Sequence, residues 1–145
     1  MQVKYMGPGE NLADAFKVRH IVFVDEQGFA AEIEVDEKDP TAHHIVVYDE
    51  AGNPIATART FPETPGSDHY IIGRVAVLKS FRGTGLGMFI MDETEKLAAK
   101  LGARFVKLGS QVQAIGFYEK CGYTEHGERY YEEHCEHVDM LKELI

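Results

Sequence analysis

The chain has 145 residues, a formal net charge of −9 and 44% hydrophobic residues. That length suits one domain, expected over residues 1–145, with a core that needs no staples; the apolar share excludes a disordered chain. The negative charge repels phosphate at long range and argues against a nucleic-acid partner, and no apolar run reaches the roughly 18 residues of a membrane span.

The opening MQVKYMGPGE has no basic segment followed by an apolar one, so no signal peptide is expected. Only Cys121 and Cys135 are present, which fits a reduced, cytoplasmic protein. Residues 2–6 read as a short strand broken by Gly-Pro-Gly. From Asn11 the spacing becomes helical, with Leu12, Ala15, Phe16, Val22 and Phe23 near one face, and Gly28 ends the helix. The acidic run AEIEVDEKDP reads as irregular. HHIVVYD and PIATARTF read as strands joined by a turn, PETPGSD as an exposed loop, and HYIIGRVAVL as a long strand. A helix is expected over Met88–Lys100, with Met88, Met91, Leu97 and Ala98 inward and Gly102 as its cap. ARFVKLGS returns to strand, QAIGFYEKC is a short helix stopped by Gly122, and two β-like stretches follow near 123–131 and 136–144. The order β-α-β-β-β-α-β-α-β-β predicts an α/β (α+β) fold, with helices on a mixed sheet.

Between the long strand and its helix lies RGTGLG. A helix N-terminus offers free N–H groups and a dipole that favours an anion, glycines allow close approach and positive φ, and Arg82 and Lys79 add charge. The P-loop lysine is missing, and the spacing Gly83, Gly85, Gly87 is not that of a dinucleotide fingerprint. By itself the stretch reads equally as a phosphate cradle or a plain turn.

RVAVLKSFRGTGLG resembles the acyl-CoA signature of the GNAT family of N-acetyltransferases, Arg/Gln-x-x-Gly-x-Gly/Ala behind a β-rich strand, in Arg82, Gly85 and Gly87. QVQAIGFYEKCGY is similar to the family's second block through Ala114, Phe117, Tyr118, Gly122 and Tyr123. VRHIVFVDEQGF, EIEVDEKD and HIVVYD resemble the small ElaA-like branch of bacterial acetyltransferases. Arg19, Phe23, Glu34, Asp36 and Asp39 also echo acyl-homoserine-lactone synthases, which usually carry an intervening tryptophan; this chain has none.

The resemblance implies a GNAT fold whose strands near 70–78 and 103–109 splay apart. The pantetheine arm of acetyl-CoA would add to main-chain groups of Val75 and Val77, with the pyrophosphate on the amides of Arg82, Gly83, Thr84, Gly85, Leu86 and Gly87. It implies Tyr118 as the acid that protonates the departing thiolate, the Val77 N–H as oxyanion donor, and Gln111 either on the pantetheine or as a plain loop polar residue. Acceptor contacts are expected from Arg19, Glu26, Gln27, Glu34 and Asp36. The acceptor would be a small-molecule or peptide amine, with no metal and the choice of monomer or homodimer left open. The strand before the glycines carries no carboxylate, so the base stays open among His69, Glu34, Asp36 and water. That gap also leaves a CoA-binding domain without catalysis as an alternative. Arg59 and Arg74 fall in central strands, where buried charge must be paired; Glu34, Asp36 or Glu26 are the expected partners. HCEH at 134–137 is not a metal pattern, because i, i+3 in a strand sends its histidines to opposite faces.

Overall fold

The computed structural model describes residues 1–144. β1 (Gln2–Met6) is followed by α1 (Ala13–Arg19), which widens into a π-helical segment, His20–Glu26, and by a single helical turn, α2 (Ala31–Glu34). Three strands follow: β2 (His43–Tyr48), β3 (Pro54–Pro62) and β4 (His69–Val77). Then come α3 (Leu86–Leu101), β5 (Phe105–Gln111), α4 (Ile115–Lys120), β6 (Thr124–Glu125), β7 (Tyr130–Glu132) and β8 (Cys135–Glu143). The strands form one sheet, ordered β1-β2-β3-β4-β5-β8-β6, with β7 on β8. All pairs are antiparallel except β4 with β5. The expected α/β class and mixed sheet are both present.

Strand β2 shows why its sequence is a continuous apolar run. Val46 packs with Ala15 of α1, while Ile45 and Val47 pack with Leu86 and Ile90 of α3. Helices thus cover both faces, and a strand buried on both sides has no polar alternation. On α3 the buried stripe runs Leu86, Ile90, Met91, Thr94, Glu95 and Ala98. Met88 was expected inward but is 47% exposed, because the helix begins at Leu86 and its core-facing stripe leaves Met88 outside. Within the acidic run read as irregular, residues 31–34 form the turn α2, and the stretch near 123–131 is two short strands rather than one.

The feature that positions the site is a bulge in β4. Opposite β3, Thr57 pairs with Ala76 and Arg59 with Gly73, so Arg74 and Val75 together face the single Ala58. Arg74 sits at φ +51, a value uncommon for a residue with a Cβ. Its guanidinium is tied down: Nε donates to the Glu34 carbonyl at 2.9 Å and Nη2 to Asp36 Oδ2 at 3.2 Å. Such strain persists where the surroundings over-determine it. An extra residue bends its strand and sharpens the local twist. Parallel pairing of β4 with β5 accordingly covers only His69, Tyr70 and Ile71 with Phe105, Val106 and Lys107, after which the ladder ends.

Candidate active site

Past Ile71 the main chain of β4 is unpaired on its β5 side. The Leu78 N–H bonds to the Ile55 carbonyl of β3 at 2.9 Å, whereas the Val77 carbonyl accepts from Arg82 Nε at 3.0 Å. Hydrogen-bonding direction alternates along an antiparallel ladder, so the Val77 N–H also points away from β3, toward the gap.

After β4 the chain passes through a short turn, Lys79–Phe81, to the start of α3. Gly85 is the N-cap at φ +87 and supplies no side-chain cap; the Phe89 N–H makes the first helical bond, to the Gly85 carbonyl at 3.0 Å. The preceding amides of the first turn therefore have no intrahelical acceptor. The glycines serve two ends. Gly83 and Gly85 hold positive φ with open space where a Cβ would be, whereas a Cβ on Gly87 would meet the Phe117 ring at 3.2 Å. Gly87 thus lets α3 and α4 approach. The Thr84 hydroxyl is committed to the Phe81 carbonyl at 2.6 Å. Arg82 forks onto Glu26 at 2.6 and 2.7 Å, tying the end of the π-helical segment to the glycine loop. That pairing holds the Glu26 carboxyl below its ordinary range.

The splay opens into a cavity of about 840 Å³ lined by Gln27, Arg74, Val75, Gln111 and Tyr118 among others. Tyr118, on α4, packs on the core cluster of Val106, Leu108 and Tyr123, and its hydroxyl makes no hydrogen bond among the described residues. Burial, with a smaller contribution from Cys121, pushes its pKa well above that of free tyrosine, so it stays protonated near neutrality. Gln111 donates to Gln27 Oε1 at 2.7 Å and accepts from Gln113 at 2.6 Å, a chain that bridges the end of the first helix to β5.

One wall of the cavity stands on a buried ionic network. Arg19, fully buried, donates to Glu34 at 2.6 Å and to Asp39 at 2.7 Å. Arg59 donates to Asp36 at 2.7 Å and to the same Asp39 at 2.8 Å, and Arg74 reaches Asp36. Three guanidiniums thus face three carboxylates. Burial alone would raise the Asp39 carboxyl, but hydrogen bonds from Arg19 and the Asp36 N–H, with the charges of Arg19 and Arg59, outweigh it and hold the group well below the carboxylate range. Asp36 is lowered in the same way, chiefly by Arg59 against its own burial. Arg19 holds α2 and the loop after it from behind, while Glu34 and Asp36 line the cavity with part of their surface. Glu26 lies apart from them, in a shallow groove with Leu78 and Lys79.

The other wall was not foreseen. The β7–β8 hairpin folds over β5, where Gly109 has no side chain: a Cβ there would lie 2.6 Å from the Tyr130 hydroxyl. That hydroxyl donates to Asp139 at 2.8 Å, and burial followed by this bond raises the Tyr130 pKa. Lys107 adds an ion pair to Glu63 at 3.2 Å. His137 also lines the cavity, paired in register with Gln111. The available signal was the alternation in CEHVDML, which puts His137 and Asp139 on one face of β8. His134 lies in the hairpin turn, not in the strand, and its Nε2 contacts the Gln27 carbonyl at 2.7 Å. No cluster of metal-ligating side chains occurs among the described residues. His69 stands at the far, paired end of β4, against Asp68 and stacked on Phe105, outside the cavity.

Residues 13–144 match the family model described as an acetyltransferase (GNAT) domain. The chain belongs to the GNAT acetyltransferase family. This GNAT chain is 41% identical over 136 residues to a Bacillus subtilis protein described as the uncharacterized N-acetyltransferase YjcF, covering 92% of this chain and 94% of the relative. The crystal structure of Escherichia coli ElaA superimposes with a TM-score of 0.86 at 26% identity, covering 98% of this chain and 99% of that one. An acyl-CoA N-acyltransferase from Pseudomonas aeruginosa gives 0.86 at 25% identity with the same coverage. The acyl-homoserine lactone synthase BjaI, at 15% identity and a TM-score of 0.80, shares the fold alone. No helix among the described residues is long and apolar enough to cross a membrane.

Proposed function

We propose that this protein is an acetyl-CoA-dependent N-acetyltransferase acting on a small-molecule or peptide amine. The observation that carries the reading is the unpaired edge of β4 followed directly along the chain by the uncapped N-terminus of α3. An extended amide-bearing chain can complete the open strand edge, and an anion can complete the helix end; CoA carries both, a pantetheine arm and a pyrophosphate. Val75 and Val77 supply the main-chain edge, and residues 82–87 supply the amide seat. Arg82 exchanges Glu26 for phosphate or holds both. CoA is thus the cosubstrate, seated without a metal.

The chain's groups then divide the work of amine attack on a thioester. The Val77 N–H, aimed into the gap, donates to the oxyanion. Tyr118 presents its proton to the sulfur as the carbon–sulfur bond breaks. A thiolate leaving inside the same cavity is desolvated like the phenol, and desolvation raises the proton affinity of both. Gln27 and Gln111 close the cavity between helix and strand, and Glu34 and Asp36 face the acceptor side.

The test is release of free CoA thiol from acetyl-CoA mixed with a panel of amines, alongside calorimetric titration with CoA. Binding without thiol release would favour a CoA-binding domain. A donor panel that includes acyl-carrier thioesters tests the synthase-like alternative, which the Arg19–Glu34–Asp39 cluster favours.

A further inference from the structure

A base for the amine is not supplied by the groups above: β4 carries no carboxylate, His69 lies outside the cavity, and Glu34 and Asp36 are paired with arginines. We propose that His137 of β8 is the catalytic base that takes the proton from the acceptor amine, a role that rests on the transferase reading above.

His137 is 5% exposed and lines the same cavity as Tyr118 and Arg74. Its Nδ1 lies 3.0 Å from the Cys135 carbonyl, which can only accept, so Nδ1 carries the hydrogen. In the neutral ring Nε2 then bears the lone pair. No hydrogen-bond donor meets Nε2 among the described residues; Glu132 Oε2 stands 3.8 Å from it. The Tyr130 ring stacks on the imidazole, with centroids 5.9 Å apart and planes at 21°, and fixes its plane. Asp139, the next residue on this face of β8, is occupied by the Tyr130 hydroxyl and by Lys107 at 3.9 Å. That leaves two groups without a hydrogen-bond partner among the described residues side by side on this wall, the His137 Nε2 and the Glu132 carboxylate. An incoming ammonium meets a carboxylate and a lone pair together: Glu132 attracts it, and Nε2 removes its proton.

The step balances. Nε2 takes one proton from the ammonium, and the freed nitrogen lone pair forms the N–C bond. The C–S bond breaks with its electron pair on sulfur, which takes the Tyr118 hydroxyl proton. The nitrogen then loses its second proton to the Tyr118 phenolate. His137 returns its own proton to water, so the products are the amide, CoA thiol and one proton.

The test is His137→Asn, whose side-chain N–H can still reach the Cys135 carbonyl but which has no basic nitrogen. With acetyl-CoA and an amine that the unaltered protein acetylates, kcat should fall by roughly 10²–10⁴-fold, the range for loss of a general base. CoA affinity should stay unchanged. In the unaltered protein kcat/KM should rise with pH along an acidic limb, and this limb should vanish in the variant. Glu132→Gln should weaken amine KM and leave the limb in place. If the unaltered protein turns over and His137→Asn keeps both its rate and its acidic limb, the role of His137 is overturned by itself. If the unaltered protein binds CoA but acetylates no amine, the transferase reading fails and the base with it.

Discussion

Replacing Gly85 by valine tests the proposed seat for CoA most directly. Gly85 holds φ +87, and a Cβ there would meet nothing within 4 Å, so no steric clash enters and the direct cost to the fold is backbone strain. A β-branched residue in that region costs about 1–3 kcal/mol. The loop has two ways to respond. It relaxes to negative φ, which turns the first amides of α3 away, or it keeps its shape and places two methyl groups in the open space beside those amides. Both remove the anion seat. Losing two charge-assisted hydrogen bonds at about 1.5–3 kcal/mol each amounts to about 3–6 kcal/mol, or about 10²–10⁴-fold in Kd. Calorimetric titration with CoA reads the affinity, and a thermal melt followed by circular dichroism reads the fold. The expected result is lost CoA binding with a stability loss of no more than about 3 kcal/mol. A well-folded variant that binds CoA within about threefold of the unaltered protein would refute the reasoning and return residues 82–87 to the status of a turn.

Other outcomes follow from the same geometry. Tyr118→Phe should lower kcat by about 10²-fold or more with little change in acetyl-CoA KM, and an unchanged turnover rate would remove the acid role. Asp39→Asn leaves Arg19 and Arg59 with one carboxylate too few and should cost about 3–5 kcal/mol in urea unfolding. Because the folded-state pKa of Asp39 is depressed, its contribution is present above the ordinary carboxylate pKa and is lost as pH falls from there toward the folded value. Melting temperature should therefore drop steeply below about pH 4 in the unaltered protein and less steeply in Asp39→Asn. Gly109→Ala forces a Cβ to within 2.6 Å of the Tyr130 hydroxyl and should displace the β7–β8 hairpin, costing about 1–3 kcal/mol and reducing amine turnover more than CoA binding.

What could be read from the chain alone was local chemistry. RGTGLG carries its own reasons, because positive φ at Gly83 and Gly85 and an uncapped helix start are properties of adjacent residues. The apolar run of β2, buried between α1 and α3, and the short helix bearing Tyr118 were legible for the same reason. The partners of Arg59 and Arg74 were anticipated in kind, since a buried charge requires an opposite one. Asp36 and Glu34, two of the three expected partners, do meet them; folding decided the rest, with Asp39 joining Arg59 and Glu26 going to Arg82. Pairings across 20 to 56 positions carry no periodic signature.

The walls of the cavity were set by tertiary structure. Nothing local marks Arg74 as the residue that takes positive φ, because the bulge is a mismatch of register with β3 and its strain is held by α2 and the residues after it. Likewise His137 reads as a strand histidine two residues from a cysteine until β8 pairs with β5 and β7 folds over Gly109, so that it lines the same cavity as Tyr118 of α4. Local sequence governs backbone conformation over a few residues, where sterics and capping act. Which side chains meet across a cavity is decided by sheet register, and that depends on the whole core.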